Sequence, residues 1–422
     1  MALLAITTLS SPVLAQEQLT LEMAIKAAHK YDPWLVGNRH TQQAIEAMSV
    51  AAGTMDDPRV SIGMVNLATD SFDFSQEPMT QLKVGVSQML PRGDSLAIKQ
   101  NQLSLTASQH PLLRQDRRAK VAVEVAKLWL DAYKAQQSIV LIEQSRVLFE
   151  QLADVAQASY STAIGKTRQQ DIVRAELELT RLEDRLAMLK HHLVMSSKKL
   201  SQWLGEMPVL QSLSLPKQLP NVQESAGELA NHPALKALEQ KIKASSSGIT
   251  LAKQKYKPQW GLNASYGYRD NAPMGGSRAD LFSVGVSFDI PIFTDNRQDK
   301  EVQSAISSTE AVKSDKLHLL RQLTALMQTT KAHLHRLHER HTLYNDRLLP
   351  QIHEQAEASL TAYTNDEGNF TDVVRGRIAE LDGQIEALGI DVDTQKTLIQ
   401  LNYFFITSGD HQVAKTIQRT GA

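Results

Sequence analysis

Two stretches of the chain alternate strictly between apolar and polar residues and share a local sequence. Residues 82–91 read LKVGVSQMLP, and residues 282–291 read FSVGVSFDIP. The apolar positions are Leu82, Val84 and Val86 in the first copy and Phe282, Val284, Val286 and Phe288 in the second. Because successive side chains of a strand point to opposite faces, the pattern predicts two strands, each with one apolar face and each ended by a proline.

Each of these strands is preceded by a second alternating segment. The apolar positions there are Val60, Ile62 and Met64 within residues 60–67, and Trp260, Leu262, Ala264, Tyr266 and Tyr268 within residues 260–269. The polar connections contain the Asp, Gly and Pro residues expected of loops, so we predict hairpins over residues 60–90 and 260–290. Such strands are typical of a transmembrane β-barrel, although a small water-facing antiparallel sheet has the same alternation.

Several landmarks recur at an offset of 200 residues (282 − 82 = 200), which predicts an internal duplication. The dipeptides Asp32-Pro33 and His232-Pro233 hold this register, as do Asp57-Pro58 and Lys257-Pro258. Proline interrupts helical hydrogen bonding, so breaks are expected within helices over residues 19–52 and 225–253. The predicted repeats are residues 16–205 and 223–408. A Pro-rich linker at 206–222 joins them, and a flexible polar tail follows at 409–422.

Two long segments, residues 95–163 and 299–364, have the 4,3 hydrophobic spacing of coiled-coil helices. The seam positions are Val121, Val125, Leu128, Ala132, Ala135, Ile139, Ile142, Phe149 and Ala153 in the first segment and Leu320, Leu323, Met327, Thr330, Leu334, Leu337, His341, Tyr344 and Leu348 in the second. Each segment leads through a Tyr-x4-Gly tip into a return helix, predicted at 168–204 and 370–405. Helices of about 65 residues span on the order of 100 Å, which predicts an elongated assembly.

Composition narrows the class of protein. The chain has 422 residues, a formal net charge of −1 and 42% hydrophobic residues, so it gives no electrostatic argument for binding nucleic acid. It has no cysteine, which excludes disulfides, thiolate metal sites and a lipidated N-terminal cysteine. Residues 1–15 predict a secretory signal peptide cut after Ala15; because a basic leading region is missing, an apolar N-terminal helix is the alternative.

No catalytic motif is present, so we expect neither an enzyme nor a cofactor. The feature most suggestive of metal is a histidine run made of His333, His335, His338 and His341, flanked by His318 and His353. Histidines three positions apart are neighbours on a helix, but the adjacent cations Lys331, Arg336 and Arg340 disfavour a metal ion. We therefore assign no metal site and interpret these histidines as solvated or packed. A weaker signal for soft metals comes from Met48, Met55, Met64, Met79 and Met89, although scattered methionines are more often packing residues.

The order of elements, written twice behind a signal sequence, resembles the TolC-like outer membrane efflux proteins. The paired VGVS…P strands, the Asp-Pro and Lys-Pro dipeptides and the Tyr-x4-Gly tips carry this resemblance, which spans nearly all of residues 16–405 and is closest to the shorter heavy-metal type. It implies a mainly α chain with a small β part. The long coiled-coil helices would form an α-barrel, and four strands per chain would contribute to a trimeric 12-stranded transmembrane β-barrel. Since four strands cannot close a barrel, oligomerisation is required independently if the sheet is in a membrane.

The resemblance also implies location, function and partners. The chain is expected in the outer membrane, with its helical part in the periplasm, as the passive exit duct of a tripartite efflux pump. Its partners would be a periplasmic adaptor (membrane fusion) protein and an inner-membrane transporter of the resistance-nodulation-division type, and its substrates heavy-metal cations or drugs. The alternatives are a type I protein secretion duct and an exported coiled-coil structural protein without a pore.

Roles for tip residues follow from the same resemblance. Asp372 matches the first aspartate position that rings the periplasmic mouth in this family, but the second position is Arg375, which makes the mouth less attractive to cations. The expected gate residues are Asp372, Arg375, Asp366, Glu367 and Asp171, and the expected adaptor contacts are Tyr160, Gly165, Tyr363 and Gly368. The alternative roles are local: acidic residues favoured by helix dipoles, an aromatic lid and a helix cap.

Overall fold

The structure is a computed structural model that describes residues 18–161, 169–205, 215–222, 224, 227–365 and 367–407. The expected signal peptide, Gly165, Asp366, residues 206–214 of the linker and the tail at 409–422 lie outside these residues. The described chain is mostly helical and contains one four-stranded antiparallel sheet, which confirms a mainly α protein with a small β part. Within the described ranges, no helix is both long and apolar enough to cross a membrane.

The sheet contains the four predicted strands. They are β1 (Arg59–Val65), β2 (Gln81–Met89), β3 (Trp260–Tyr268) and β4 (Leu281–Phe288), and they lie side by side in that order. All neighbouring pairs are antiparallel, and the hairpins β1–β2 and β3–β4 are joined through β2 and β3. Strands β2 and β4 end shortly before Pro91 and Pro291, as expected of residues that cannot donate to the ladder.

The first half of the chain forms five helices: α1 (Leu21–Tyr31), α2 (Pro33–Ala52), α3 (Ser95–Ala107), α4 (Gln109–Ser161) and α5 (Gln169–Leu204). The predicted break before Pro33 is confirmed. The prediction of one helix over residues 95–163 is wrong, because the helix is interrupted at Ser108. Pro111 has no N–H to donate to the carbonyl of Ala107, so regular hydrogen bonding fails at this step.

The second half forms α6 (Pro233–Gln254), α7 (Gln298–Leu343), α8 (Leu349–Thr364) and α9 (Phe370–Tyr403). The expected helix over residues 225–253 begins later than predicted: Leu229–Asn231 is a 3-10 turn, and the α-helix starts at Pro233. His232 is extended, with φ −60° and ψ 132°, because proline disfavours helical geometry in the residue before it. A π-helical turn at Tyr344–Leu348 joins α7 to α8, just before Pro350.

The described residues form two compact units. One lies within residues 1–35, 115–232 and 322–422, and the other within residues 36–114 and 233–321. Both units therefore combine parts of the two predicted repeats; the duplication itself remains a prediction. We call them the helical unit and the sheet unit. The sheet unit contains the strands, with α3 packed on α6.

The helical unit has its core along the predicted seams. Val121, Val125, Ile142 and Phe149 of α4 are buried, and Ile142 and Phe149 form one cluster with residues of α5 and α9. In the second seam Leu323, Thr330, Leu334 and Leu337 are buried. The seam assignment is wrong for His341, whose side chain is 48% exposed and lies 3.3 Å from the carboxylate of Asp391. On α9 its neighbour is therefore a carboxylate at the edge of the helix packing, and not an apolar side chain of the core.

Two adjacent residues of α4, Asp116 and Arg117, stabilise the chain just before Pro33 and Pro233. We call these two helix breaks the first and second proline joints. Arg117 donates from Nε to Oδ2 of the buried Asp32 at 2.8 Å, and Tyr403 donates its hydroxyl to Oδ1 of Asp116 at 2.8 Å. The imidazole Nε2 of His232 lies 3.1 Å from the carbonyl oxygen of Tyr403. Burial beside Asp116 raises the pKa of Tyr403, so its hydroxyl stays protonated and able to donate.

The guanidinium of Arg117 is also enclosed by aromatic rings. It lies 5.7 Å from the ring centroid of Trp34 and 5.5 Å from that of Trp203, and both distances are within the range of cation–π interactions. Trp203 is near the end of α5, which terminates at Gly205 with φ +61°. The first proline joint, at Asp32-Pro33, is therefore stabilised by one ion pair and two cation–π contacts of Arg117.

We expect acid to destabilise the helical unit through His232. Burial lowers the pKa of this imidazole; the nearby carboxylate of Asp116 acts in the opposite direction, and the ammonium of Lys120 adds to the lowering. The unfolded chain therefore takes up a proton below about pH 6.5 that the folded chain does not bind, and the free energy of unfolding falls with pH from there. Thermal unfolding followed by circular dichroism should show a smaller loss of stability between pH 7 and pH 5 in His232→Gln than in the wild type.

The matched control for this experiment is His333→Gln, which changes an exposed histidine of α7. It should keep the slope of the wild-type protein. An equal pH slope in all three proteins would contradict a role for the buried imidazole of His232.

Candidate functional site

One face of the sheet is apolar from edge to edge. The ladder places Val60 opposite Val86, Val86 opposite Ala264, and Ala264 opposite Val284, so one row crosses all four strands. The next row, Ile62, Val84, Tyr266 and Phe282, repeats this arrangement, and Ile62, Phe282 and Val284 are each at least 70% exposed. A contiguous apolar face of this kind marks a surface that another molecule or a membrane covers.

Aromatic side chains lie at both ends of this apolar face. At one end the rings of Trp260 and Phe288 are 4.6 Å apart between centroids. At the other end Phe74, from the β1–β2 loop, stacks on Tyr268 at 6.2 Å. An apolar band between two aromatic girdles is typical of the outer surface of a transmembrane barrel. The sequence shows both sets of aromatic residues, but only the register places them at opposite ends of one face.

The opposite face of the sheet is polar or lacks side chains. Asn263, Ser265, Ser283 and Ser287 alternate there with glycines, and Lys83 and Arg59 carry the charge. Strands β1 and β4 are the two edges, and within the chain each pairs on one side only. The sheet therefore has a polar side, an apolar side and two rows of backbone groups open to further strands.

Arginines fix the sheet at each end. The loops of the two hairpins are joined by Arg278, which donates to the carbonyl of Ser75 at 3.1 Å, and by Arg269, which donates to that of Pro78 at 3.3 Å. At the helical end Arg92 pairs with Asp289 and donates to the carbonyl of Lys257 at 2.9 Å. Sequence reasoning missed these contacts, because each joins residues of different predicted repeats.

The second tip, in the helical unit, is a compact turn. Glu367 and Gly368 both donate their backbone N–H to the carbonyl of Ala362 at 2.9 Å, which closes the end of α8. A Cβ at Gly368 would lie 2.8 Å from the backbone nitrogen of Tyr363, so only glycine fits without a shift. The Tyr363 ring packs edge-on against buried Phe370 at 5.7 Å. These contacts support the local roles of lid and cap. The first tip lies outside the described residues from 162 on, and the Tyr160 side chain is likewise not described.

The predicted gate residues are at the starts of the two return helices. Asp372 and Arg375 lie in the first turns of α9 and pair with each other at 3.4 Å, with side chains 52% and 76% exposed. Asp171 lies in the first turn of α5 and is partly buried, while Glu367 is exposed in the turn. Arg174 of α5 hydrogen-bonds the Thr371 hydroxyl of α9, so the two acidic helix starts are adjacent. An exposed pair of this type contributes little stability, which leaves both side chains available for other partners.

The histidines of α7 are dispersed instead of convergent. His333, His335 and His338 are exposed, and His335 lies 3.2 Å from Glu339 of its own helix. On α8, His353 lies 2.6 Å from Glu380; burial opposes ionisation of that carboxyl, but hydrogen bonds from His353 and Arg377 hold its pKa below the usual range. In the described part of the chain, no three His or carboxylate side chains come together in a group able to hold a metal ion.

Part of the chain matches a known protein family, and solved structures have a similar fold. Residues 227–402 match the family model described as outer membrane efflux protein. No protein of curated function is similar enough in sequence to match the chain. Among solved structures, CusC, studied for folding and transmembrane channel formation, has a TM-score of 0.77 at 13% identity, covering 91% of this chain and 92% of its own.

Two further outer-membrane proteins have similar folds. VceC of Vibrio cholerae has a TM-score of 0.74 at 13% identity and covers 93% of this chain and 96% of its own. The open-state channel MtrE of Neisseria gonorrhoeae has a TM-score of 0.72 at 13% identity, with 91% and 88% covered. These matches confirm the resemblance to the outer membrane efflux proteins that the sequence indicated.

We expect Gly368→Ala to destabilise the second tip, because the added methyl group meets backbone atoms of Ala362 and Tyr363 at less than 3.0 Å. The matched control is Gly37→Ala in α2, where no neighbouring atom lies within 4 Å of the new Cβ and helix propensity favours alanine by about 0.5–1 kcal/mol. Limited proteolysis around residue 365 should become faster in Gly368→Ala only. Equal cleavage in both variants would mean that the turn tolerates a side chain there.

Proposed function

We propose that this chain is one subunit of an outer-membrane channel that serves as the exit duct of a tripartite efflux pump. The observation that carries the proposal is the sheet, with its exposed apolar face, aromatic ends, polar back and two open edges. Lipid covers the apolar face, and the polar face lines a water-filled lumen. No covalent chemistry is involved, because the channel only lets substrate pass.

The two open edges require other copies of the chain. In lipid every backbone polar group must be satisfied, so β4 of one copy pairs with β1 of the next. Closed membrane barrels have at least about eight strands, which four strands per chain cannot supply alone. Three copies give 12 strands, the homotrimer implied by the family resemblance, and the long helices of the trimer continue the duct as an α-barrel in the periplasm.

The tips are the proposed docking and gating regions. A periplasmic adaptor contacts the turns at Tyr160, Gly165, Tyr363 and Gly368, and an inner-membrane transporter of the resistance-nodulation-division type supplies energy and substrate. The substrates are heavy-metal cations or drugs; growth of a strain lacking the gene on metal salts and on drugs separates these two classes. The dispersed histidines favour neither class.

Two rival functions make different predictions. A type I secretion duct passes polypeptides through the same architecture, and an ABC exporter encoded beside the gene would indicate it. A coiled-coil structural protein without a pore would leave the cell as soluble material on osmotic shock. The exposed apolar face of the sheet argues against the second rival, because it would remain in water.

A lysine on the apolar face should block assembly, whereas a lysine on the polar face should not. We expect Val284→Lys to cost roughly 2–4 kcal/mol per chain at mid-membrane, and to remove the detergent-resistant oligomer from the outer-membrane fraction. The adjacent Ser283→Lys faces the proposed lumen, so it should assemble normally and shift the conductance of single channels in lipid bilayers. Normal assembly of both variants would refute the lipid-facing assignment.

Charge at the proposed gate should set ion selectivity. We expect Arg375→Asp to raise cation conductance in planar bilayers, because it replaces the cation paired with Asp372 by a second carboxylate. Arg336→Asp, which changes an exposed arginine of α7, serves as the control for a general charge effect. Unchanged conductance and selectivity in Arg375→Asp would remove this residue from the gate.

A further inference from the structure

A basic cleft lies at the helical end of the sheet. It is open, has a volume of about 590 Å³, and is lined by Lys99 of α3, Lys255 just after α6, and Arg297 and Lys300 where α7 begins. Glu301 is the carboxylate in its lining. The lining therefore carries four cations and one anion, a net charge of +3, in a chain whose overall charge is −1.

Most of this positive charge is not used by the fold. Lys255 pairs with Glu301 at 2.9 Å, and Lys99 donates to the amide oxygen of Gln102 at 3.2 Å. Within the described residues Arg297 and Lys300 form no ion pair, and the neighbouring Asp299 accepts a hydrogen bond from the Tyr256 hydroxyl. Cations that outnumber the carboxylates around them attract an anionic partner.

Apolar side chains lead from the sheet to this cleft. After Phe288 the alternation of β4 continues through Ile290 and Ile292, which are 65% and 70% exposed, and the next residue, Phe293, is 88% exposed. These exposed apolar residues follow the end of β4 along the chain and stop four positions before Arg297. Along the chain, the exposed apolar segment is therefore followed within a few residues by basic ones, as it is where a protein surface leaves hydrocarbon for headgroups.

All four helices that connect to the strands leave at this same end. Helices α2 and α6 precede β1 and β3, and α3 and α7 follow β2 and β4, while the other end carries only hairpin loops. This inference rests on the proposed function, in which the helical end faces the periplasm. The cleft then lies at the level of the lipid headgroups of the periplasmic leaflet.

We propose that the cleft binds the phosphate of an anionic phospholipid headgroup, with Ile292 and Phe293 against its acyl chains. Arg297 and Lys300 supply the charge, and a guanidinium can hold two phosphate oxygens at once. The site fixes the depth of the sheet in the membrane by binding lipid at its periplasmic rim.

The test uses the full chain purified in mild detergent and exchanged into vesicles of phosphatidylethanolamine with a minor share of phosphatidylglycerol. Re-extracted protein is analysed for phosphatidylglycerol retained per copy. We expect the double variant R297Q/K300Q to retain about thirtyfold less than the wild type, because each basic residue near an anionic lipid surface contributes about 1 kcal/mol and two of them are removed. K253Q/K313Q removes two helix-surface lysines of the sheet unit outside the cleft and should retain the wild-type amount.

A second variant separates a lipid from free phosphate. Phe293→Ser should lower retention of phosphatidylglycerol while leaving binding of inorganic phosphate unchanged, because only a lipid uses the apolar contact. Wild-type retention in R297Q/K300Q or in Phe293→Ser overturns the proposal. Membrane fractionation and bilayer conductance are measured on the same proteins. A wild-type protein that neither fractionates with the outer membrane nor conducts refutes the proposed channel. A conducting wild type whose variants retain the wild-type amount of lipid refutes only this site.

Discussion

The requirement that backbone N–H and C=O groups be paired governs this protein more than any side chain does. A sheet of four strands satisfies only its inner pairs and leaves two edges open. In water such edges are an aggregation hazard that proteins usually cover, and in lipid they are not tolerated. The apolar face of the sheet is exposed as well, so the proposed oligomer in a membrane would satisfy both the open edges and the apolar face.

Much of the fold could be predicted from the sequence, since the period of two in a strand is unambiguous over nine residues. Register then follows, because a shift by one residue would turn Val84 and Val86 to the polar face. The glycine and aromatic residue of the tip were also informative, since Gly368 and Tyr363 have their effects within one turn of the chain.

Other features could not be predicted, because they depend on competition between local and tertiary effects. Pro111 is tolerated within the first turn of a helix but not in its interior, and the sequence does not say which applies, so the interruption at Ser108 was missed. His341 has the spacing of a core position, yet its side chain is exposed and lies 3.3 Å from the carboxylate of Asp391 on α9. The basic cleft is assembled from α3, α6 and α7, whose lysines are far apart in the chain.

The pair Asp116 and Arg117 has a consequence for how this chain tolerates changes in length. Both proline joints are fixed by one turn of α4, and the buried seam of the same helix starts at Val121. A single residue inserted between them would rotate that turn by about 100° relative to the seam. The same insertion would leave the buried Asp32 without the guanidinium of Arg117 and Tyr403 without the carboxylate of Asp116. Insertions and deletions in this stretch are therefore excluded even though its outward face is solvated, and the spacing from residue 117 to residue 121 is as constrained as any side chain in the core.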